Sequence, residues 1–296
     1  MLIRVKGYND GVKEYLEEGK KNGRDLSRNE LDERLILHGD LELTQQIYRS
    51  IPDHGQDRYL SITHSYFEDN IEPDVFLNVI NEYKKFLNCA YRDDEINIYA
   101  EAHLPKIKQI IDKKTGDMID RKPHVHIVIP KKNLLSGNVF NLVGKYSDNE
   151  KYFEAIQEHI NQKYNLISPR ERVRVNPKNV SDILSRYKGD DFRSKNRKFK
   201  EQLVKDIVEK NILSRKDFYT HVSSFGDVRI RNQGKENEYI AVKLPGDKKF
   251  TNLKETIFSD DFIVRRELKK PPLEKSVIQQ RLHEWPQRAM ELKYID

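Results

Sequence analysis

The sequence predicts an α+β fold in which a largely antiparallel central sheet carries helices on one face. Five short segments are predicted to be strands, most of them because apolar and polar residues alternate along them. Amphipathic helical stripes separate most of these segments, and a short hairpin precedes the last one. Strands that a hairpin joins are expected to pair antiparallel. The helices are expected to cover one face of the resulting sheet.

The elements of this sheet follow one another over the first 130 residues. The predicted strands are Leu2–Lys6, Leu31–Leu37, Tyr59–Tyr66, Ile96–His103 and His124–Ile129. The intervening helices are predicted from apolar stripes that begin at Val12, Leu43 and Val75. The polar stretch Lys20–Asn29 is expected to be a loop, and Lys106–Arg121 a protruding basic hairpin.

Beyond Pro130 the pattern changes to a helical region with a second, smaller β-hairpin. Helices are predicted for Lys151–Tyr164 and Phe199–Ile212, and the hairpin for Val228–Lys243. A Pro271-Pro272 pair separates these from a charged final helix. We therefore expect a core of residues 1–200, an accessory region of residues 201–270, and a C-terminal helix or linker of residues 271–296.

Composition narrows the class of protein. Charged residues make up 34% of the 296 residues, and no run approaches the ~18–20 apolar residues of a membrane helix. Met1–Arg4 leads into a strand rather than a signal peptide, so we expect a cytoplasmic protein without membrane insertion. The single Cys89 excludes a disulfide framework or a cysteine-based zinc site.

Positive charge is concentrated in one segment. Pro169–Lys200 holds 11 Lys and Arg against 4 Asp and Glu, whereas the net charge of the whole chain is +6. A like-signed surface on this scale is typical of proteins that bind a polyanion.

The segment His124-Val125-His126 contains the first candidate metal ligands. Alternation places both imidazoles on one face of a strand, where their Nε2 atoms could share one divalent cation. His103 lies on the polar register of the strand that the hairpin brings back beside His124, and is the candidate third ligand. Three neutral histidines with open coordination positions are typical of a catalytic metal site.

If no metal-bound hydroxide is used, the nucleophile must come from the protein. The chain has 15 tyrosines, and a tyrosine that attacks phosphorus keeps the bond energy in a phosphotyrosine. Tyr8 and Tyr15, at the first strand–helix junction, are the candidates by topology.

Several stretches resemble conjugative or mobilisation relaxases of the HUH endonuclease superfamily. Pro123–Asn141 (PHVHIVIPKKNLLSGNVFN) is similar to the histidine signature of that family, and Tyr99–Lys106 to the strand that brings the first metal ligand. Arg58–Asp69 resembles its Ser-rich strand, and Lys13–Gly19 its early tyrosine helix. A stretch from Gly226 to Lys254 resembles a small hairpin module that follows the nuclease core.

The resemblance implies a palm-like HUH sandwich that nicks and recloses one strand of DNA at the transfer origin of a plasmid or integrative element. His103, His124 and His126 would be the metal ligands for Mg²⁺ or Mn²⁺, and Tyr15 the nucleophile. Relatives carry an aspartate two residues after the first ligand, where this chain has Pro105, and Glu101 could take its orienting role.

The resemblance also implies partners. Single-stranded DNA would lie across the open sheet face, and accessory relaxosome proteins and a coupling protein would join it. Basic residues that would lie along the DNA backbone are the candidate contacts: Lys131, Lys132, Arg170, Arg172, Arg174, Lys195, Arg197 and Lys198. The hairpin near Lys113-Lys114 could read duplex DNA or a DNA stem.

Two alternatives remain open at the level of sequence. The chain could be a rolling-circle replication initiator, in which the nucleophile follows the histidine strand, here Tyr152 or Tyr187. It could also be a catalytically silent origin-binding protein whose histidines are structural. The early position of Tyr15 and the order of the elements favour the relaxase.

Overall fold

A five-stranded antiparallel sheet organises the first part of the chain in the computed structural model, which describes residues 1–19, 26–111, 116, 118–173, 178–186 and 196–295. Its strands are β1 (Leu2–Tyr8), β2 (Asp32–His38), β3 (Tyr59–Ser65), β4 (Tyr99–Pro105) and β7 (His124–Pro130). Their spatial order is β1-β3-β7-β4-β2, so β4, which carries His103, and β7, which carries His124 and His126, lie side by side within the sheet. The predicted α+β class and antiparallel sheet are confirmed.

Between β4 and β7 the chain forms the predicted hairpin. Its strands are β5 (Gln109–Ile111) and β6 (Met118–Asp120), which pair antiparallel. Lys113-Lys114, expected to contact DNA at its tip, lies outside the described residues.

In the described ranges, six helices belong to the same compact unit as this sheet. They are α1 (Val12–Glu18), α2 (Arg28–Leu31), α3 (Leu41–Arg49), α4 (Pro73–Leu87), α5 (Tyr146–Lys163) and α10 (Lys275–Ile295). One turn of helix, α2, therefore replaces the end of the predicted loop Lys20–Asn29. A left-handed glycine, Gly39 at φ 75°, leads from β2 to α3, and a Cβ there would lie 2.3 Å from the carbonyl oxygen of Ile98. The Asp40 side chain then caps α3 by accepting from the backbone N–H of Leu43 at 2.7 Å.

The main core lies between one face of the sheet and three helices. Alternation turns Val125, Ile127 and Ile129 of β7 to this side, where they join one apolar cluster with α4, α5 and α10. Trp285 of α10 is buried there, stacks on Phe86, and donates from its indole Nε1 to the Phe86 carbonyl at 2.8 Å.

The prediction that helices cover only one face is wrong. A second apolar cluster lies on the opposite face, where Tyr59, Tyr99 and Val128 are covered by α1 and α3. Strand alternation places these three apolar side chains on the same face as the histidines, and they need to be buried. They are buried by Val12 and Leu16 of α1 and by Leu41 and Tyr48 of α3.

The chain divides into two compact units. Met1–Ser168 and Leu273–Asp296 form the first unit, and Pro169–Pro272 forms the second. The structural boundary at Ser168 therefore differs from the expected one near residue 200. The final helix, expected to be a separate segment or linker, is part of the first unit because Trp285 and Ala289 lie in its core.

The second unit has its own core and a smaller sheet. Its helices are α6 (Val180–Arg186), α7 (Arg197–Glu209), α8 (Arg215–Ser223) and α9 (Asp260–Ile263). The predicted hairpin is present as β8 (Asp227–Arg231) and β9 (Tyr239–Lys243), and β10 (Thr251–Leu253) adds a third antiparallel strand. Over the described ranges, no helix is both long and apolar enough to cross a membrane.

Candidate metal centre

The three predicted ligands lie together on one face of the central sheet. In β7, alternation turns His124 and His126 to this face, and the β4 register places His103 directly opposite His124. One ring nitrogen of each residue lies within 4.8 Å of those of the other two. The three imidazoles could therefore bind one metal ion, as the sequence predicts.

Hydrogen bonds identify which nitrogen two of the histidines present. His124 Nδ1 lies 3.1 Å from the carbonyl oxygen of Lys122, which can only accept, so Nδ1 carries the proton and Nε2 has the lone pair. His103 donates from Nε2 to the carboxylate of Glu101, which leaves the lone pair on Nδ1. His124 thus presents the Nε2 atom predicted for the β7 pair, whereas His103 on β4 presents Nδ1.

These two lone pairs face each other, because His103 Nδ1 lies 3.3 Å from His124 Nε2. With both rings neutral there is no proton between them, so the contact is repulsive without a cation. Two nitrogens that each lie ~2.1 Å from one ion are ~3.0–3.4 Å apart, which matches the observed separation. The donor set therefore fits a metal ion better than it fits a self-contained hydrogen-bond network.

The electrostatic surroundings keep both rings neutral near pH 7. Burial lowers the pKa of His103 below its ordinary value, although the hydrogen bond to Glu101 acts in the opposite direction. Burial, and secondly the neighbouring His103 imidazole, lowers the pKa of His124 to about 4. Neutral imidazole is the form that binds metal ions.

Glu101 is the partner that orients His103. It lies two residues before His103 on the same face, is fully buried, and accepts from the Tyr99 hydroxyl and from Arg34 Nη2 at 2.5 Å. Burial raises the pKa of Glu101, but the hydrogen bonds from His103, Arg34 and Tyr99 outweigh it and hold the pKa at about 2. Glu101 therefore stays ionised. An ionised carboxylate can accept the N–H that a metal-binding histidine donates from its other ring nitrogen.

Tyr15 is the tyrosine that the fold brings to this site. It lies on α1, half-buried, and its ring meets the ring of His126 edge-on with the centroids 5.5 Å apart. Tyr8, the other candidate, is 44% exposed and lies beside Tyr59 at the far end of β1. Arg4 is the β1 residue in line with His126 across the sheet. Tyr8 lies four residues further along β1, which is about 13 Å of strand.

A buried ion-pair network, which the sequence pattern did not predict, supports Tyr15. The Arg28 guanidinium lies over the Tyr15 ring at 5.0 Å and donates to the Tyr15 carbonyl oxygen at 3.1 Å. Asp32 accepts from Arg28 at 2.7 Å and from Arg121, at the base of the hairpin, at 2.6 and 2.8 Å. The available signal was the capping box that Ser27 and Glu30 form, which begins α2 and so fixes the position of Arg28.

The predicted DNA-contact residues are dispersed. Lys131 and Lys132 follow β7 in the first unit, where Lys131 pairs with Asp57 at 3.6 Å and Lys132 donates to Ser50 at 2.8 Å. The other six belong to the second unit. Of these, Arg170 is buried and donates to the Pro271 carbonyl at 2.6 Å, so it braces backbone.

Of the remaining five candidates, the structure describes three. Arg172, Arg197 and Lys198 are exposed, and Arg197 pairs with Glu201 at 2.7 Å. Arg174 and Lys195 lie outside the described residues, as does Tyr187, the alternative nucleophile. Tyr152, the other alternative, is buried in the core against Trp285.

His64 of β3 lies on the opposite face of the sheet from the three candidate ligands. It is fully buried against Tyr83, and neither ring nitrogen has a hydrogen-bond partner among the described residues. The strand alternation that turns Thr63 toward the site turns His64 away from it.

Comparisons with protein-family models, with curated proteins and with solved structures find no match for the chain.

Proposed function

We propose that the protein is a metal-dependent DNA strand transferase of the relaxase type, which nicks and recloses single-stranded DNA at a transfer origin through a tyrosine. The observation that carries the proposal is the position of Tyr15 against His126, beside three histidines able to hold one ion. A phenol next to a metal site has the parts that phosphoryl transfer without free hydroxide needs.

The proposed reaction is a transesterification. The Tyr15 Oη–P bond forms as the P–O3′ bond breaks, which leaves DNA on the tyrosine as a 5′-phosphotyrosine and a free 3′-hydroxyl. The proton lost by the phenol balances the one gained by the 3′ oxygen. Because one phosphodiester replaces another, attack by a 3′-hydroxyl reverses the step and recloses the strand.

Each residue of the site has a role in this proposal. His103, His124 and His126 would hold a divalent ion, which when bound withdraws electrons from the non-bridging phosphate oxygens. Glu101 keeps His103 in the tautomer whose Nδ1 faces the site. Arg28, stacked on Tyr15, limits the positions that the phenol can take.

The ligand chemistry also bears on the identity of the ion. The resemblance implies Mg²⁺ or Mn²⁺, and three imidazoles without a coordinating carboxylate favour a first-row ion over Mg²⁺. We therefore expect Mn²⁺ to bind more tightly than Mg²⁺.

The replication-initiator alternative is less well supported, because Tyr152 lies in the apolar core of the first unit. The silent origin-binding alternative predicts DNA binding with no covalent product under any metal.

A gel experiment tests the proposal. A randomised pool of single-stranded DNA is labelled at its 3′ ends and incubated with the protein and Mn²⁺, Mg²⁺ or EDTA. Transfer of label to the protein on a denaturing gel, with either metal and not with EDTA, is the expected result. His124→Ala should abolish it, and His283→Ala, at an exposed position of α10, should not.

A further inference from the structure

A basic face of the smaller sheet in the second unit is not used by the proposed reaction. The inner side chains of β9, Ile240 and Val242, lie in the core of this unit. Alternation therefore turns Tyr239 and Lys243 of β9 outward, and their neighbours Arg229 and Arg231 on β8 share that side. Both arginines are exposed.

Aromatic rings hold the cations of this face in place. The guanidinium carbons of Arg229 and Arg231 lie 4.7 and 5.6 Å from the ring centroid of Phe250. The ammonium of Lys254 lies 4.7 Å from the ring centroid of Tyr239. Such cation–π contacts restrict long side chains without neutralising their charge.

Asp227 of β8, opposite Lys243, is an exposed carboxylate on the same side, but among the described residues no ion pair neutralises the four cations. Within the described ranges, Arg229, Arg231, Lys243 and Lys254 have no carboxylate oxygen within 4.0 Å, whereas Lys200 of the same unit pairs with Glu255. Two more lysines, Lys248 and Lys249, are exposed in the loop that leads to β10. The result is a concentrated positive surface next to a short stretch of sheet.

We propose that this face, defined by Arg229, Arg231, Lys243 and Lys254, binds the phosphate backbone of double-stranded DNA. The charges are complementary to a polyanion, and the rings of Phe250 and Tyr239 are covered by cations rather than open to stack on bases. A surface that offers charge without stacking favours the duplex, whose charge density and counterion release exceed those of a single strand.

The inference goes beyond the proposed nicking reaction. It concerns different residues, a different form of DNA and a binding event that needs neither metal nor Tyr15. A duplex-binding face would hold double-stranded DNA while chemistry takes place on a single strand.

The test measures binding of the full-length chain to a fluorescent 20-base-pair duplex of arbitrary sequence by anisotropy, in EDTA, over a range of salt concentrations. The variant Arg229→Gln/Arg231→Gln removes two cations from the face. Each lost phosphate contact should reduce the slope of log affinity against log salt by ~0.9, so the double variant should lose about 2. Affinity near 0.1 M salt should fall by roughly tenfold or more.

Two further variants make the test specific. Lys205→Gln/Lys210→Gln removes the same charge from α7, which packs against the inner side of the sheet, and should change the slope by less than half as much. Arg229→Lys/Arg231→Lys keeps the charge and should retain most of the slope, which a purely structural role for the arginines would not allow.

Three results would overturn the inference: an unchanged slope in the glutamine variant, an equal loss in the α7 control, or tighter binding of single-stranded than of duplex DNA. Because no cleavage is measured, a failed nicking assay leaves this result unaffected. Repeating the titration in a Tyr15→Phe background keeps the two claims separate.

Discussion

At the scale of single residues, the candidate site depends on which nitrogen each histidine presents. Glu101 fixes His103 with Nδ1 toward the site, and the Lys122 carbonyl fixes His124 with Nε2 toward it. Neither orientation follows from the sequence spacing alone, since both nitrogens of a histidine can bind metal.

Replacing Glu101 tests this orientation. Glu101→Gln removes the carboxylate that accepts from His103, and should weaken Mn²⁺ binding by about 10–100-fold. Isothermal titration calorimetry measures the affinity. Glu33→Gln, which removes an exposed carboxylate from β2, is the matched control and should leave the affinity unchanged. Equal affinities for wild type and Glu101→Gln would exclude the orienting role.

His64 shows what burial does to a histidine without partners. Burial lowers its pKa to about 3, whereas an exposed imidazole titrates near ~6.5. Between these values the unfolded chain binds a proton that the folded chain does not, so folding stability must fall as the pH drops below ~6.5.

The pH dependence of stability therefore changes when His64 is removed. Between pH 7 and pH 5, wild type should lose about 2 kcal/mol more of its free energy of unfolding than His64→Leu. Urea unfolding at the two pH values, in EDTA, measures the difference. His283→Leu, at an exposed position, should behave like wild type. Parallel losses in wild type and His64→Leu would contradict the assignment.

At the scale of elements, the strands of the central sheet were predictable from the sequence, whereas the contact of Arg28 with Tyr15 was not. Alternation and the connecting hairpin are local in sequence, so β4 and β7, and with them the three histidines, follow from pattern alone. The short helix α8 and the three-residue β10 were missed, because α8 buries only Phe218 and Val222 and β10 is too short to show a period. Contact between Arg28 and Tyr15 is tertiary and has no sequence period.

The network that joins α2, β2 and the hairpin base should be important for folding. Asp32→Asn leaves Arg28 and Arg121 buried without their countercharge, which should cost about 3–5 kcal/mol in the free energy of unfolding. Urea denaturation measures the loss. As a control, Asp69→Asn breaks a pair with Lys122 in which Asp69 is 65% exposed, and should cost far less than Asp32→Asn. Similar losses in the two variants would contradict the role of the network.

At the scale of the whole molecule, two separate cores suggest two unfolding units. The only tryptophan, Trp285, lies in the core of the first unit, so its fluorescence reports that unit alone. Ile240 lies in the core of the second unit.

A core substitution in the second unit should therefore be invisible to tryptophan fluorescence. Ile240→Ala should destabilise the second unit by about 2–5 kcal/mol and shift part of the far-ultraviolet circular dichroism transition in urea. The Trp285 fluorescence transition should keep its midpoint. Ile127→Ala, in the first core, is the reciprocal variant and should shift the fluorescence. A common shift of both signals by Ile240→Ala would mean that the units unfold together.

The central claim is that Tyr15 becomes covalently joined to DNA at the three-histidine site. The most direct measurement is mass spectrometry of the peptide that carries DNA after incubation with randomised single-stranded DNA and Mn²⁺, compared among wild type, Tyr15→Phe and Tyr8→Phe. We expect a nucleotide adduct on Tyr15 in wild type and Tyr8→Phe, and none in Tyr15→Phe. An adduct on another residue, or none in wild type with either Mn²⁺ or Mg²⁺, would contradict this claim.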